Sequence, residues 1–154
     1  RLLSAFQWAQ EHGFQRILLI GSDSPHISHT SIAQARAALD EADVVLGPSD
    51  DGGYYLIAMR QPYDVFSGIP MSTDVVTEMT LTLAQQQGLT THLINQLYDI
   101  DELPDLLRLA DLLAIDPSQA PATAAYLTTM RSLYDYHTHL DATTVDLHRT
   151  DQPL

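Results

Sequence analysis

Apolar residues recur along this chain with two different periods, and the alternation between them predicts its elements. Leu2, Leu3, Phe6 and Ala9 share one helical stripe and His12-Gly13 supplies a stop, so residues 2–12 read as a helix. The unbroken run Ile17-Leu18-Leu19-Ile20 within 16–21 has the pattern of a strand buried on both faces. Ser28 to Ala42 returns to helical spacing through Ile32, Ala35 and Leu39, with Ser28 or Thr30 as the cap. Strands follow at 43–47, stopped by Gly47-Pro48, and at 54–59, and 62–69 reads as loop with a short helical turn. Ser72-Thr73-Asp74 opens a helix that runs to Gln87 and closes at Gly88. Thr90 to Ile94 is a strand and Gln96 to Ile100 a second candidate, before helices at 105–115 and 122–137 separated by the break Asp116-Pro117.

Strand and helix in alternation predict an α/β fold: a three-layer sandwich whose sheet is mainly parallel, with some mixing, and is covered by helices. No repeat or linker divides the chain, so one domain is expected over residues 1–139, its C-terminal part (105–137) helical, followed by a loose polar tail at 140–154. The chain starts at Arg1 within a helical pattern and reads as a fragment.

This order puts acidic turns at strand ends. Gly21-Ser22-Asp23-Ser24-Pro25 follows the first strand, Ser49-Asp50-Asp51-Gly52-Gly53 the second, and Asp99-Ile100-Asp101 the last candidate. In open α/β sheets ligands bind in the crevice outside such ends. A carboxylate at Asp23 suits Mg²⁺ or Mn²⁺, hard ions that prefer oxygen, or else it closes a turn and caps the next helix. Asp50 and Asp51 are adjacent like charges beside two glycines that allow close approach of a ligand, and the same four residues suit a solvated hairpin turn; both readings can hold together. Asp99 and Asp101, at alternate positions, leave the same face of an extended segment and can share one ion, or Asp101 and Glu102 cap the following helix. Ser72 and Thr73 are a helix cap first and phosphate ligands second. His137-Thr138-His139 invites a metal reading, but alternate histidines at a polar helix end are ordinarily just solvated. His26 and His29 read as loop residues, and Tyr54-Tyr55 as packing residues.

Composition narrows the chemistry. Among 154 residues, 20 acidic against 7 basic give a formal charge of −13, and all seven basic residues are arginine. That field repels nucleic-acid backbones and anionic membranes, so neither is expected as a partner. With no lysine, phosphate groups would have to be met by metal ions, arginines or backbone amides. The absence of cysteine excludes disulfides and thiolate sites and is compatible with a reducing cytoplasm. No apolar run reaches the roughly 18 residues of a membrane span.

The motifs Ile-Gly-Ser-Asp-Ser-Pro, Asp-Val-Val-Leu-Gly-Pro-Ser-Asp-Asp-Gly-Gly-Tyr-Tyr-Leu-Ile-Ala, Phe66-Ser-Gly-Ile, Ser72-Thr73 and Asp99-Ile-Asp101 together resemble the DUF2064 family over about residues 2–112. That family looks like a branch of the GT-A glycosyltransferase and nucleotidyltransferase superfamily, similar to the molybdopterin-cofactor and phospholactate guanylyltransferases. The resemblance implies a metal-dependent transferase that moves a nucleotidyl or glycosyl group from a nucleotide or nucleotide-sugar donor to a small acceptor. It makes Asp23 a metal ligand, with Asp101 and Asp99 at the second metal position, and puts Asp51, Gly52 and Gly53 on the acceptor side. The resulting expectation is Asp23 and Asp51 as catalytic residues, Asp50, Gly52, Gly53, Ser72 and Thr73 as substrate-binding residues, and Asp23, Asp99 and Asp101 as ligands of Mg²⁺ or Mn²⁺. Three departures stand out: Met71 where members carry tryptophan, Asp101-Glu-Leu-Pro-Asp-Leu106 where they carry Asp-Thr-Pro-Glu-Asp-Leu, and no Pro-Gly-x-x-Lys-Thr-Arg-Leu loop ahead of Arg1. A chain without that loop is expected to be inactive alone, to bind a ligand or partner chain without catalysis, or to self-associate through an uncovered strand edge.

Overall fold

The computed structural model describes residues 1–131. The second half of the predicted 122–137 helix, the His137/His139 pair, and the expected end of the domain and tail lie outside the described residues. Helix α1 spans Leu2–Glu11, strand β1 Ile17–Ile20, helix α2 His29–Ala38, strands β2 and β3 Val44–Pro48 and Tyr54–Met59, helix α3 Val76–Gln86, strand β4 Thr91–Leu93 and helix α4 Leu103–Ile115. A short 3₁₀ turn at Pro117–Gln119 follows the expected break, and residues 121–131 are helical. The chain divides into two compact units between Leu107 and Arg108, and everything described below lies in the first. Among the described residues no helix is long and apolar enough to cross a membrane.

The four strands are ordered β1-β3-β2-β4. β1, β2 and β4 share a direction, while β3 runs antiparallel between β1 and β2, so two of the three pairings are antiparallel and the sheet is mixed rather than simply parallel. The physical reason is the short connection: only five residues separate Pro48 from Tyr54, enough for a hairpin but far too few for the crossover that a parallel neighbour needs. The hairpin is irregular, with a register shift between Gly47 and Pro48. Pro48, which has no N–H to give a ladder, sits where that irregularity occurs.

Both faces of the central strands β2 and β3 are buried, as their unbroken apolar runs require, whereas β4 is exposed and β1 is buried only at Ile17. Val44, Leu46, Ile57 and Met59 face Phe6 and Ala9 of α1 and Ala84 of α3. The intervening Val45, Leu56 and Ala58 pack with Ala35 and Leu39 on the α2 side. The period of two along β2 and β3 thus assigns alternate side chains to two cores, giving three layers. α1 ends at His12, with Gly13 at φ +87°, and Ser28 caps α2 by accepting from the Ser31 N–H at 3.0 Å.

Several boundaries differ from the sequence reading. α2 stops at Ala38, because Leu39 to Ala42 turns back towards β2. α3 starts at Val76 rather than at Ser72: Ser72 has φ +65°, outside the helical region, and the Thr73 hydroxyl donates to the Pro70 carbonyl instead of capping a helix. Residues 96–100 form no strand beyond a single parallel bridge from Leu97 to Ser49. α4 begins at Leu103, and its first turn is closed by Asp105, whose carboxylate accepts from the Glu102 N–H at 3.0 Å.

Candidate active site

The C-terminal ends of β1 and β2 open on one cavity of about 360 Å³. Asp23, Asp51, Asp99, Gly53, Ser72 and Thr73 line it, whereas Asp50, Gly52 and Asp101 do not. The lining also has an apolar part: Leu2, Leu19, Ile20, Met71 and Val76 belong to it, and Ile20 and Met71 are 55% and 50% exposed. That part, which comes from four separate segments, had no signal in the local sequence pattern.

Each acidic turn is fixed by a neighbouring serine. The buried Ser24 hydroxyl donates to Asp99 Oδ1 and reaches the Tyr98 carbonyl at 3.4 Å, while the Ile100 N–H donates to the Asp23 carbonyl at 2.9 Å. The first and third turns are therefore tied together through side chain and backbone. In the hairpin, Asp51 Oδ1 accepts from the Ser49 hydroxyl and the Gly53 N–H, both at 2.8 Å. The Asp50 N–H donates to the Leu97 carbonyl at 3.0 Å, which joins the hairpin to the segment leading to Asp99. Ser24 and Ser49 were visible in the sequence as small hydroxyls flanking carboxylates, yet only the fold shows which acids they hold. His26, which reads as a loop residue, is buried with its ring 4.3 Å from that of Tyr98, so an aromatic contact backs the same junction.

Gly52 lies behind the cavity rather than in it. It has φ +90°, and a Cβ there would overlap the backbone of Asp74; its carbonyl accepts from the Thr77 N–H at 3.0 Å. Its requirement is backbone packing that places the turn against the start of α3. Gly53 does line the cavity, its open side bounded by the Asp51 and Ser49 side chains.

The electrostatics of the cavity lining are dominated by like charge, from Asp23, Asp51 and Asp99. Among the described residues, no arginine lines the cavity. The Asp101 carboxyl is held above its ordinary 3.8 by partial desolvation and then by the negative potentials of Asp99, Asp51, Asp23 and Asp105. Asp101 therefore feels Asp99, Asp51 and Asp23 of the turns, even though it stands outside the cavity. Among the described residues, no three histidine, aspartate or glutamate side chains converge as a ready-made metal cage. The carboxylates are of the hard-oxygen class that suits Mg²⁺ or Mn²⁺, and one or two of them suffice for an ion that keeps most of its water and binds substrate phosphates.

A raised folded-state value carries a sign that can be checked. Ionised Asp101 is accommodated worse in the folded chain than in the unfolded one, so its favourable contribution is present below the unfolded value and lost as pH rises through the folded value. Asp101→Asn is accordingly expected to raise the thermal unfolding midpoint near pH 7, with the difference from the unsubstituted chain vanishing below the ordinary value of 3.8. Melting curves at the two pH values test this, and equal midpoints near neutrality would remove the repulsion argument.

Sheet and helices together have the α/β fold of a nucleotide-diphospho-sugar transferase-like protein. The solved structure of a "putative nucleotide-diphospho-sugar transferase" from Desulfovibrio desulfuricans G20 is similar over 86% of this chain, with a TM-score of 0.77 and 30% sequence identity. The chain spans 58% of the length of that neighbour. Residues 1–73 match the model of the family described as "Uncharacterized protein conserved in bacteria (DUF2064)", which bears out the resemblance read from the motifs. No curated protein matches the chain.

Proposed function

We propose that the cavity at the ends of β1 and β2 binds a nucleotide donor together with a divalent cation, and that a glycosyl or nucleotidyl group passes from it to a small acceptor. The observation carrying this reading is the meeting of Asp23, Asp51, Asp99, Gly53, Ser72 and Thr73 around one cavity, on a fold shared with a protein of that description. Asp23 and Asp99 would hold the cation, with Asp101 adding negative potential from outside. When bound, Mg²⁺ or Mn²⁺ offsets diphosphate charge and eases departure of the leaving group. Asp51 is held by Ser49 and Gly53 through Oδ1 alone, so Oδ2 can accept the proton of an acceptor hydroxyl as it attacks. Ser72 and Thr73 bound the side where phosphate or sugar oxygens need hydrogen-bond donors.

A second reading, ligand or partner binding without catalysis, draws on the lining itself, which among the described residues offers no arginine to phosphates. A thermal-shift screen of nucleoside triphosphates and nucleotide sugars separates the two. The transferase reading expects one nucleotide to raise the midpoint with Mg²⁺ or Mn²⁺ present, and the shift to vanish in EDTA and in Asp23→Ala and Asp99→Ala. Saturation at about 100 times the dissociation constant corresponds to roughly 2.7 kcal/mol of added stability. A stable protein that responds to none of these ligands would favour binding without catalysis.

A further inference from the structure

At the end of the sheet opposite the acidic turns lies a cleft of about 560 Å³, lined by Gln10, Gly13, Phe14, Gln15, Arg16, Leu39, Asp40, Arg60 and Gln61. The register places it: Ile17 of β1 pairs with Met59 of β3, so Arg16 and Arg60 flank the same edge of the sheet. We propose that this cleft is a binding site for a small organic oxyanion, a carboxylate or phosphate ester, gripped by Arg60 and Arg16.

Arg60 is the reason to expect a ligand. Its Nε donates to the Leu39 carbonyl at 2.6 Å, which fixes the plane of the half-buried guanidinium. Among the described residues its terminal nitrogens take no hydrogen-bond or ion-pair partner, although the chain carries 20 acidic side chains. Asp43 feels the Arg60 charge but its carboxylate is bonded to other groups: its Oδ2 accepts from the Thr90 N–H at 2.9 Å and the Thr90 hydroxyl at 2.7 Å, and its Oδ1 faces the Tyr63 hydroxyl at 3.4 Å. A guanidinium oriented through Nε leaves its forked end for a planar oxyanion, the geometry that arginine binds bidentately.

The other linings suit the same ligand. Arg16 pairs with Asp40, but both side chains are about half exposed (48% and 57%), and such a pair contributes little, so an incoming oxyanion can take the place of Asp40. Gln10, Gln15 and Gln61 offer amides for further oxygens. Phe14, 58% exposed, presents an aromatic face to the carbon skeleton. The volume falls in the range of small-molecule pockets, about 300–1,000 Å³. In a chain of charge −13, a cleft lined, among the described residues, by two arginines and one acid is a local reversal of sign, and the cavity at the other end of the sheet, with three acids and no arginine among them, is not.

The test is an NMR titration of the ¹⁵N-labelled full chain with succinate in one arm and inorganic phosphate in the other, each against sodium chloride at matched ionic strength. Saturable shifts are expected at the amides of residues 13–16 and 60–61 in at least one arm, and the responding arm tells carboxylate from phosphate. Affinity should fall about tenfold or more in Arg60→Gln and in Arg16→Gln, the cost of one lost charge-assisted grip. Arg16→Gln, at an exposed position, keeps the test open if Arg60→Gln fails to fold. Shifts no larger than those from chloride, shifts confined to the acidic cavity, or affinities unchanged in a folded variant would each overturn the site. None of these readouts depends on the transferase reading, because neither probe is a nucleotide and no divalent cation is added.

Discussion

Gly52→Ala is expected to destabilise the protein by on the order of 3 kcal/mol or more, measured by urea denaturation, because two penalties coincide at that residue. The backbone sits at φ +90°, where a side chain is strained, and the new Cβ would meet the Asp74 backbone, which cannot rotate away as a side-chain tip would. Gly68→Ala is the matched control. It has a similar φ of +81° but open space around the missing Cβ, so it should cost only the conformational part, about 1 kcal/mol. Equal losses in the two variants would mean that packing against Asp74 contributes nothing.

Tyr55→Ala should cost a further large amount, about 3–5 kcal/mol, as expected for an aromatic ring removed from a packed core. Tyr55 is 2% exposed, and its ring occupies the space where a Cβ on Gly47 would stand, so the two strands of the hairpin interlock at that point. Its hydroxyl donates to the Asn95 carbonyl at 2.8 Å, in the segment that continues to Asp99. Tyr55→Phe keeps the ring and loses the hydrogen bonds of the hydroxyl, to the Asn95 carbonyl and with Ser31, about 1 kcal/mol each. The pair of variants thus divides hydrophobic filling from the anchoring of residues 95–99, and a Tyr55→Phe loss as large as that of Tyr55→Ala would reverse the assignment.

How far the sequence led can be seen element by element. α1, β1, β2 and β3 were legible because each is a clean apolar stripe or run ended by glycine, proline or an acidic turn. The direction of β3 was not legible from the alternation of elements, which favours parallel neighbours; the five-residue connection decides it, and the Asp-Asp-Gly-Gly hairpin reading already contained that information. Ser72-Thr73-Asp74 has the composition of a helix start, yet Ser72 lies in the left-handed region, the Asp74 backbone packs against Gly52, and the helix starts only at Val76.

The site divides in the same way. Asp23, Asp51 and Asp99 could be brought together in thought because strand ends gather turns. Asp101, one alternation beyond Asp99, stands outside the cavity because residues 99–101 are not a strand and the period of two does not carry through them. Ile20 and Met71 could not have been matched at all, since a lining shared by distant segments has no local spacing. The three glutamines and two arginines of the opposite cleft are likewise scattered over residues 10–61, and nothing in their spacing announces a common surface.

The two ways in which the acids are tethered imply two different histories for them. The turn holding Asp51 is closed by contacts between residues two to four positions apart, so it forms as soon as the hairpin does. Asp99 joins Ser24 across 75 positions of chain, a closure that must await docking of β1 on β3 and the return of the chain beside β2. One half of the cavity is thereby set early, as part of the sheet, and the other is latched late, through the Ser24 hydroxyl and the Ile100 N–H. Fluctuations that release that latch would open the first and third turns while leaving the hairpin whole, which gives a ligand a route in at a small fraction of the cost of unfolding.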